Sequence, residues 1–318
     1  MRRILLATLA LAVLVSGSAC AHDDLTGLRI MVPNAPGSGY DITARTAANA
    51  IEDAGLAKGV EVFNLPGAGG SVGLRRLAYE KGNGRLMMLM GLGLVGAQYT
   101  NAAGATLGDT TPIARLIEEP EVVVVRRDSP YRSLNDLVTA WRSAPDTVTV
   151  GGGSSPGGPD HLAPMLIAKA IGIAPKAVAY VRFDGGGELL AAILGQRVSF
   201  GVSGVGEIAD QLHSGQLRAL AVTSGEPVRS LSAPTLRDAG VDVVFTNWRG
   251  VLAPPDLTTE DRAALRSAMD RLHDSDPWRR ALETNGWTDA YLAGDDFDQF
   301  MRAENLRVAS VLSELGLT

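Results

Sequence analysis

The chain has 318 residues, one cysteine and a formal net charge of −6 at pH 7. This charge argues against a nucleic-acid or anionic-membrane surface, since both partners require clustered Lys and Arg, and a single cysteine excludes an internal disulfide. The glycine-rich turns lack a Walker lysine and a complete dinucleotide fingerprint, and Cys/His clusters are absent from the sequence, so neither a cofactor nor a metal is expected.

The first residues are typical of an export signal. Arg2 and Arg3 precede an apolar run over 4–15 that is too short to span a bilayer. The small residues around position 20 fit the signal peptidase pattern, which predicts a signal peptide over 1–21. The alternative is a lipid-modified Cys20, although Gly17 is smaller than the aliphatic residue usual at that position. Both interpretations predict an exported, periplasmic or extracytoplasmic protein.

The first predicted strand, 28–33, leads through a glycine-rich turn into a helix over about 42–54, with Asp41 placed to cap it. Glycine lets the backbone approach a ligand closely. The first N–H groups of a helix have no intrahelical partners and lie at its positive end. The turn is therefore a candidate anion site.

A second unit repeats this order. The strand 60–63 is followed by the turn 66–70 and by a helix that Ser71 is predicted to cap, and a third strand lies at 86–90. This βαβ succession predicts a parallel sheet whose loops gather at the carboxyl ends of the strands, where open α/β sheets bind ligands.

The middle of the chain repeats the pattern after a predicted crossing strand at 121–125. Asp160 is placed to cap a helix that ends near Ile171. The further strands are predicted at 148–150, 177–181, 198–202 and 217–222. These units predict a second lobe whose loops resemble those of the first.

The rest of the chain is predicted to return to the first lobe through 241–253 and then to form helices that cover its sheet, near 259–273, 277–285 and 295–315. The expected architecture is α/β and two-lobed, with the ligand cleft between the lobes. Lobe 1 comprises 26–120 plus 246–318, and lobe 2 comprises 121–245. Two chain crossings between lobes form a hinge that suits closure on a ligand.

Several motifs occur in a fixed order: Pro36-x-Gly-x-x-Asp41, Asn64-x-Pro-Gly-Ala-Gly-Gly, Phe183-x-Gly-Gly-Gly-Glu188 and Trp248-x-Gly250. Each is weak alone, but their order resembles that of the extracytoplasmic solute receptors called TctC or Bug-type proteins. The resemblance implies a type II periplasmic-binding-protein fold without enzymatic activity. It also implies a receptor that delivers a tricarboxylate or dicarboxylate to a tripartite tricarboxylate transporter, whose permease has one large and one small subunit. We expect a monomer.

In such receptors two lobe-1 loops hold one carboxylate through backbone N–H groups and bridging waters, while lobe-2 loops select the remainder of the ligand. Carried over to this sequence, the resemblance and the loop positions give the candidate ligand-binding residues Ser38, Gly39, Tyr40, Asp41, Ala68, Gly69, Gly70, Ser71, Ser154, Ser155, Gly157, Asp184, Gly185, Ser203, Gly204 and Arg249.

Three of these candidates, Asp41, Asp184 and Arg249, carry charge. Asp41 would repel an acid, so it is expected to orient its loop and pair with Arg45 one turn later. Arg249 suits bidentate pairing with a distal carboxylate, with an exposed arginine at a strand end as the alternative.

Two other functions remain open in the sequence. Ser71 lies in a G-x-S-x-G pattern, but a nucleophile elbow requires the serine directly after a strand, with a histidine and an acid. A ligand-sensing receptor for a membrane sensor kinase would use the same fold and binding residues as a transport receptor.

Overall fold

The computed structural model describes residues 25–100 and 104–316. The predicted signal peptide and Cys20 lie outside these residues. The strands are β1 (Arg29–Val32), β2 (Glu61–Asn64), β3 (Leu86–Gly91), β4 (Thr111–Arg126), β5 (Val150–Gly152), β6 (Tyr180–Arg182), β7 (Phe200–Gly204), β8 (Leu217–Val222), β9 (Thr246–Ala253) and β10 (Thr288–Ala293).

The helices are α1 (Gly39–Asp53), α2 (Ser71–Tyr79), α3 (Leu92–Thr100), α4 (Leu134–Ser143), α5 (Pro159–Ala170), α6 (Gly186–Leu194), α7 (Ala209–His213), α8 (Thr259–His273), α9 (Asp276–Asn285) and α10 (Gly294–Glu314). Among the described residues, no helix combines the length and the apolar character needed to cross a bilayer.

A single curled sheet runs through the molecule in the order β2-β1-β3-β9-β4-β7-β5-β6, with β8 and β10 also paired to β4. The strands β1, β2 and β3 are parallel to one another, as are β5, β6 and β7. Both parallel sets confirm the predicted βαβ units. Their loops therefore emerge at the carboxyl ends of the strands and converge on one region.

Strand β4 links the two parts of the sheet. Its residues 111–120 pair with β9, whereas 121–124 pair with β7 and 122–126 with β8. We therefore propose 26–120 plus 246–318 as lobe 1 and 121–245 as lobe 2, because the change of partner falls between Pro120 and Glu121. The predicted crossing strand is the second half of this longer strand.

Thr223 ties together the two places where the chain crosses between the lobes. Its Oγ1 accepts a hydrogen bond from the Glu121 N–H (2.9 Å) and donates to the Phe245 carbonyl (2.7 Å). The Phe245 N–H in turn donates to the Thr223 carbonyl at 2.8 Å. This network holds the two crossings side by side.

The C-terminal helices pack on lobe 1 as their apolar spacing predicts. In α10 the residues Phe297, Met301, Val308 and Leu312 are buried. Trp248 packs edge-on against Phe297 and donates its indole N–H to Glu304 at 2.7 Å, so it belongs to the core.

Three predicted helix caps were wrong. Ser38 caps α1, because its Oγ accepts from the Asp41 N–H, and the helix begins three residues earlier than predicted. Gly70 precedes α2, so Ser71 is the first helical residue. Gly158 precedes α5, so Asp160 lies in its first turn and is not its cap.

Candidate functional site

A small cavity of about 40 Å³ lies between the two lobes, at the carboxyl ends of the parallel strands. This volume has room for only a few waters. The cleft is therefore closed in this structure, and a ligand requires the lobes to separate first.

The cavity brings together most of the predicted loops but not every predicted residue. Those that line it are Ser38, Gly39, Tyr40, Gly69, Ser154, Ser155, Asp184, Gly185 and Arg249. Those that the structure places outside its lining are Asp41, Ala68, Gly70, Ser71, Gly157, Ser203 and Gly204. The remaining lining residues were not among the predicted ligand-binding residues, and they are Asn34, Gly93, Gly153, Pro159, Asp160, Glu207 and Asn247.

Lobe 1 contributes the beginning of α1. Gly39 and Tyr40 are its first two residues, so their N–H groups have no intrahelical partners and lie at the positive end of the helix. Tyr40 is buried, and its hydroxyl oxygen accepts a hydrogen bond from the Leu94 N–H at 3.2 Å, which ties α1 to α3. Burial raises the pKa of Tyr40 to about 12, so its hydroxyl stays protonated.

Asp41 organises the lobe-1 loops from behind the cavity. Its carboxylate accepts hydrogen bonds from the Gly37 N–H (2.9 Å), the Asn64 amide (2.9 Å) and Arg45 (3.0 Å). Asn64 also donates to the carbonyl of Asn34, a lining residue. The predicted pairing with Arg45 is therefore present, and Asp41 joins the loops that follow β1 and β2.

Replacing Asp41 with Asn is expected to lower the free energy of unfolding at pH 7 by about 1–2 kcal/mol, because charge-assisted hydrogen bonds are lost. Burial opposes the charge, but the bonds from Arg45, Gly37 and Asn64 outweigh it and lower the pKa of Asp41 below 3.8. A carboxyl group whose pKa is lowered by folding stabilises the fold at pH values above its unfolded-state pKa. This stabilisation is lost as the pH falls through the folded-state pKa.

Urea denaturation checks this prediction. The difference in the free energy of unfolding between the unaltered protein and Asp41→Asn should be present at pH 7 and should narrow below pH 3.8. Asp146→Asn, at an exposed position, is the matched control and should show no comparable gap. A gap that persists unchanged in acid would show that the charge of Asp41 is not its cause.

Lobe 2 presents carboxylates to the cavity. Asp160 accepts a hydrogen bond from the Gly153 N–H at 2.6 Å, and Glu207 accepts from the Gly186 N–H at 3.0 Å. Gly186 is the first residue of α6, and Asp160 lies in the first turn of α5. The positive ends of both helices are thus already faced by acids of the chain itself.

Burial raises the pKa of both carboxyls. The pKa of Asp160 rises to about 6, against the hydrogen bonds that it accepts. The pKa of Glu207 rises to about 8 through burial and the charge of Asp160, against the attraction of Arg249. Glu121 is fully buried, neither of its carboxylate oxygens has a hydrogen-bond partner among the described residues, and burial raises its pKa well above the usual value.

Arg249 is 2% exposed, which contradicts the exposed strand-end alternative. Its guanidinium forms an ion pair with Glu119, donates to Thr43 Oγ1 at 3.1 Å and lies 3.6 Å from Glu207. Burial would lower the pKa of Arg249, but the surrounding carboxylates raise it, so it stays charged. Its Nη1 and Nη2 atoms thus have partners within the protein, whereas its buried Nε has no hydrogen-bond partner among the described residues.

Ser71 does not have the surroundings of a catalytic nucleophile. Its Oγ is buried and has no hydrogen-bond partner among the described residues, so no histidine activates it. The Nδ1 atom of His161 instead accepts from the Gly157 N–H at 3.1 Å, and burial lowers the pKa of this histidine to about 4. Nor do the described residues contain a group of three or more side chains suited to a metal ion.

The family model described as "Tripartite tricarboxylate transporter family receptor", TctC, matches residues 43–317. The chain belongs to this family. Among curated relatives of this TctC receptor, BugT of Bordetella pertussis is 26% identical over 299 residues, which cover 91% of this chain and 89% of BugT.

Two of the solved structures that share the fold illustrate the similarity. The periplasmic binding protein BugD matches with a TM-score of 0.83 at 20% identity, over 92% of this chain and 98% of BugD. An R. palustris protein with adipate matches with a TM-score of 0.84 at 23% identity, over 92% and 97% of the respective chains. The predicted family and the two-lobed periplasmic-binding-protein fold are confirmed.

Proposed function

We propose that this protein is an exported solute receptor that captures an organic carboxylate between its lobes and delivers it to the large and small permease subunits of a tripartite tricarboxylate transporter. The observation that carries the proposal is the interlobe cavity, which joins the positive end of α1 to the lobe-2 loops in a member of the TctC family. The adipate bound to a protein of the same fold supports a carboxylate ligand.

The mechanism is capture without chemistry. A carboxylate meets the free N–H groups of Gly39 and Tyr40 in the open protein, where the helix end favours negative charge. The lobe-2 loops then rotate over it about the paired crossings at Thr223. Closure buries the carboxylate among fixed donors and forms the surface that the permease recognises.

A thermal-shift screen tests this function. Tricarboxylates and dicarboxylates, the classes that the family resemblance implies, are compared with monocarboxylates, amino acids and sugars. A ligand at about 100 times its dissociation constant adds about 2.7 kcal/mol to the free energy of unfolding. A shift with sugars and with no carboxylate would contradict the proposal.

Gly69→Ala is expected to weaken carboxylate binding by at least about tenfold, because a Cβ there meets lobe 2 in the closed protein. It would lie 3.0 Å from Ser155 Oγ, across the cleft in lobe 2, and 3.2 Å from Ala97 Cβ within lobe 1. Gly55 has almost the same φ, 67° against 65°, but an added Cβ there has nothing within 4 Å.

Gly55→Ala is therefore the matched control, with a similar backbone strain and no contact at the cleft. Calorimetric titration with the strongest acid from the screen should show weaker binding for Gly69→Ala alone. Equal affinities in the two variants would show that ligand binding does not bring the loop at Gly69 against lobe 2.

A further inference from the structure

The carboxyl group of Glu207 lies where the start of α1 meets lobe 2. The side chain comes from the turn that follows β7, and a Cβ added to Gly39 would lie 2.5 Å from Glu207 Oε1. The other oxygen, Oε2, accepts a hydrogen bond at 3.0 Å from the N–H of Gly186, the first residue of α6. Glu207 is therefore placed between two helix N-termini, beside the α1 N–H groups that are proposed to bind the ligand carboxylate.

The cleft holds too few cations to keep its carboxyl groups ionised beside an anionic ligand. Arg249 is the only cation among the described residues that line the cavity, and it forms an ion pair with Glu119. Its Nη2 atom lies 3.6 Å from Glu207 Oε1, which is too far for a hydrogen bond. This guanidinium is also shared with Glu121 and Asp160. A ligand carboxylate would add to the buried negative charge, which is strongly unfavourable.

A proton on Glu207 removes this conflict. It cancels the charge that repels the ligand, and it converts the carboxyl group into a hydrogen-bond donor. Because Oε2 already accepts from Gly186 and the described residues donate no hydrogen bond to Oε1, Oε1 is the atom that is free to carry the proton. Burial and the charge of Asp160 raise the pKa of Glu207 to about 8 without a ligand, against the attraction of Arg249. A second anion nearby raises it further.

We propose that Glu207 binds the ligand in its protonated form, with its Oε1–H donating a hydrogen bond to a carboxylate oxygen of the ligand at the start of α1. Where Glu207 is ionised in the free protein, the proton comes from solvent, forms the Oε1–H bond as the ligand binds and returns to solvent as the ligand leaves. The receptor thus captures a proton together with its anion. This inference rests on the proposed function and assigns a binding residue within the same site.

Proton uptake predicts how the affinity depends on pH. The probe is the acid with the largest thermal shift among butyrate, succinate, adipate and tricarballylate, which are ionised at pH 7 and above. A group whose pKa is raised by binding favours the complex below its free pKa and opposes it above. Between pH 7 and pH 9 the affinity is therefore expected to fall about tenfold.

The number of protons taken up is measured by calorimetric titration in buffers of different ionisation enthalpy. We expect about half a proton per ligand at pH 8 and nearly one at pH 9. Other charged or titratable groups surround Glu207 in and behind the cavity, and they are Tyr40 on α1, Glu119 and Glu121 on β4, Asp160 on α5, Asp184 before α6 and Arg249 on β9. The pKa values of Asp160 and Glu121 are also raised by burial, so variants have to assign the proton.

Two substitutions of Glu207 separate its charge from its hydrogen bond. Glu207→Gln keeps a donor and is neutral at every pH, so it should bind within about twofold of the unaltered protein at pH 7, without proton uptake and without the loss at pH 9. Glu207→Met is neutral but has no donor, and it should bind at least about tenfold more weakly than Glu207→Gln. Glu226→Gln, at an exposed lobe-2 position, is the control and should keep the pH dependence.

The outcomes distinguish this inference from the function on which it rests. An affinity that is unchanged between pH 7 and pH 9, or proton uptake that persists in Glu207→Gln, overturns the inference and leaves the carboxylate receptor standing. Equal binding by Glu207→Met and Glu207→Gln overturns the hydrogen bond. If Glu207→Gln does not fold, the absence of proton uptake by the unaltered protein still overturns the inference. If no acid of the panel binds, the receptor function fails, and the inference with it.

Discussion

Replacing Arg249 with Met is expected to lower the free energy of unfolding by about 3–5 kcal/mol, because it leaves buried carboxylates without their cation. Arg249 and Glu119 are 2% and 1% exposed, so water does not screen the remaining charge. Glu207 and Glu121 are attracted to the same guanidinium. Methionine fills much of the volume, so the main change is electrostatic.

A double variant separates charge from packing. Arg249→Met with Glu119→Gln removes both partners, and the glutamine carbonyl still accepts from Trp287. Because neither charge is then left unpaired, we expect this variant to regain part of the stability that the single change loses. Urea denaturation of the ligand-free proteins measures the free energy of unfolding of the unaltered protein, the single variant and the double variant.

Arg29→Met is the matched control for the same substitution. Arg29 pairs with Glu61 on the surface, with side chains 44% and 55% exposed, and solvent screens such pairs. Arg29→Met should therefore change the free energy of unfolding very little. If Arg249→Met were equally mild, or if the double variant were no more stable than the single one, an unpaired buried charge would not explain the loss.

The sequence predicts the lobe-1 half of the site well because the relevant signal is local. A strand, a glycine-rich turn and a helix follow one another directly around Gly39 and again around Gly69, and both residues line the cavity. Helix caps are less well determined, because several polar residues near one helix start compete for the role. At α1 Ser38 caps the helix, and Asp41 instead connects two loops through its hydrogen bonds.

Two acidic residues of the cleft escaped prediction, whereas a third, Asp184, is among the predicted site residues and lines the cavity. The sequence predicts Asp160 only as a helix cap, and it does not single out Glu207. Asn247 lies within a strand, where the pattern gives no sign that its amide faces a cavity. The signal that could have found Glu207 is its position at the end of the glycine-rich turn after β7, equivalent to the other ligand-side loops.

Helix α3 was also missed, since its window of small and apolar residues has no polar face to produce a helical period. The small residues of α3 allow a close contact between the lobes. Gly96 packs directly against Gly157 of lobe 2, and Thr100 Oγ1 donates to the Pro156 carbonyl across the cleft at 2.9 Å. Small residues allow the two backbones to touch when the lobes are closed.

Gly96→Ala is therefore expected to weaken ligand binding by at least about 100-fold, corresponding to about 2.7 kcal/mol against the closed form. The added Cβ would lie 2.8 Å from the Gly157 Cα and would overlap its carbonyl group. Both neighbours are backbone atoms, so no side-chain rotation relieves the clash. Within α3 alone alanine is a better helix former than glycine, so the open protein should lose no stability.

Calorimetric titration with the strongest acid from the screen measures the affinity, and small-angle scattering measures the radius of gyration with and without ligand. We expect ligand to compact the unaltered protein but not Gly96→Ala, because a ligand shifts the lobes only by its preference for the closed form. Gly108→Ala is the control, since its Cβ would meet only Thr106 Oγ1 at 3.5 Å, an ordinary contact. If Gly96→Ala bound and compacted like the unaltered protein, the contact between α3 and the lobe-2 loop would not be part of the ligand-bound state. Closure would then have to stop short of the arrangement seen here, with the acidic lobe-2 residues further from the start of α1.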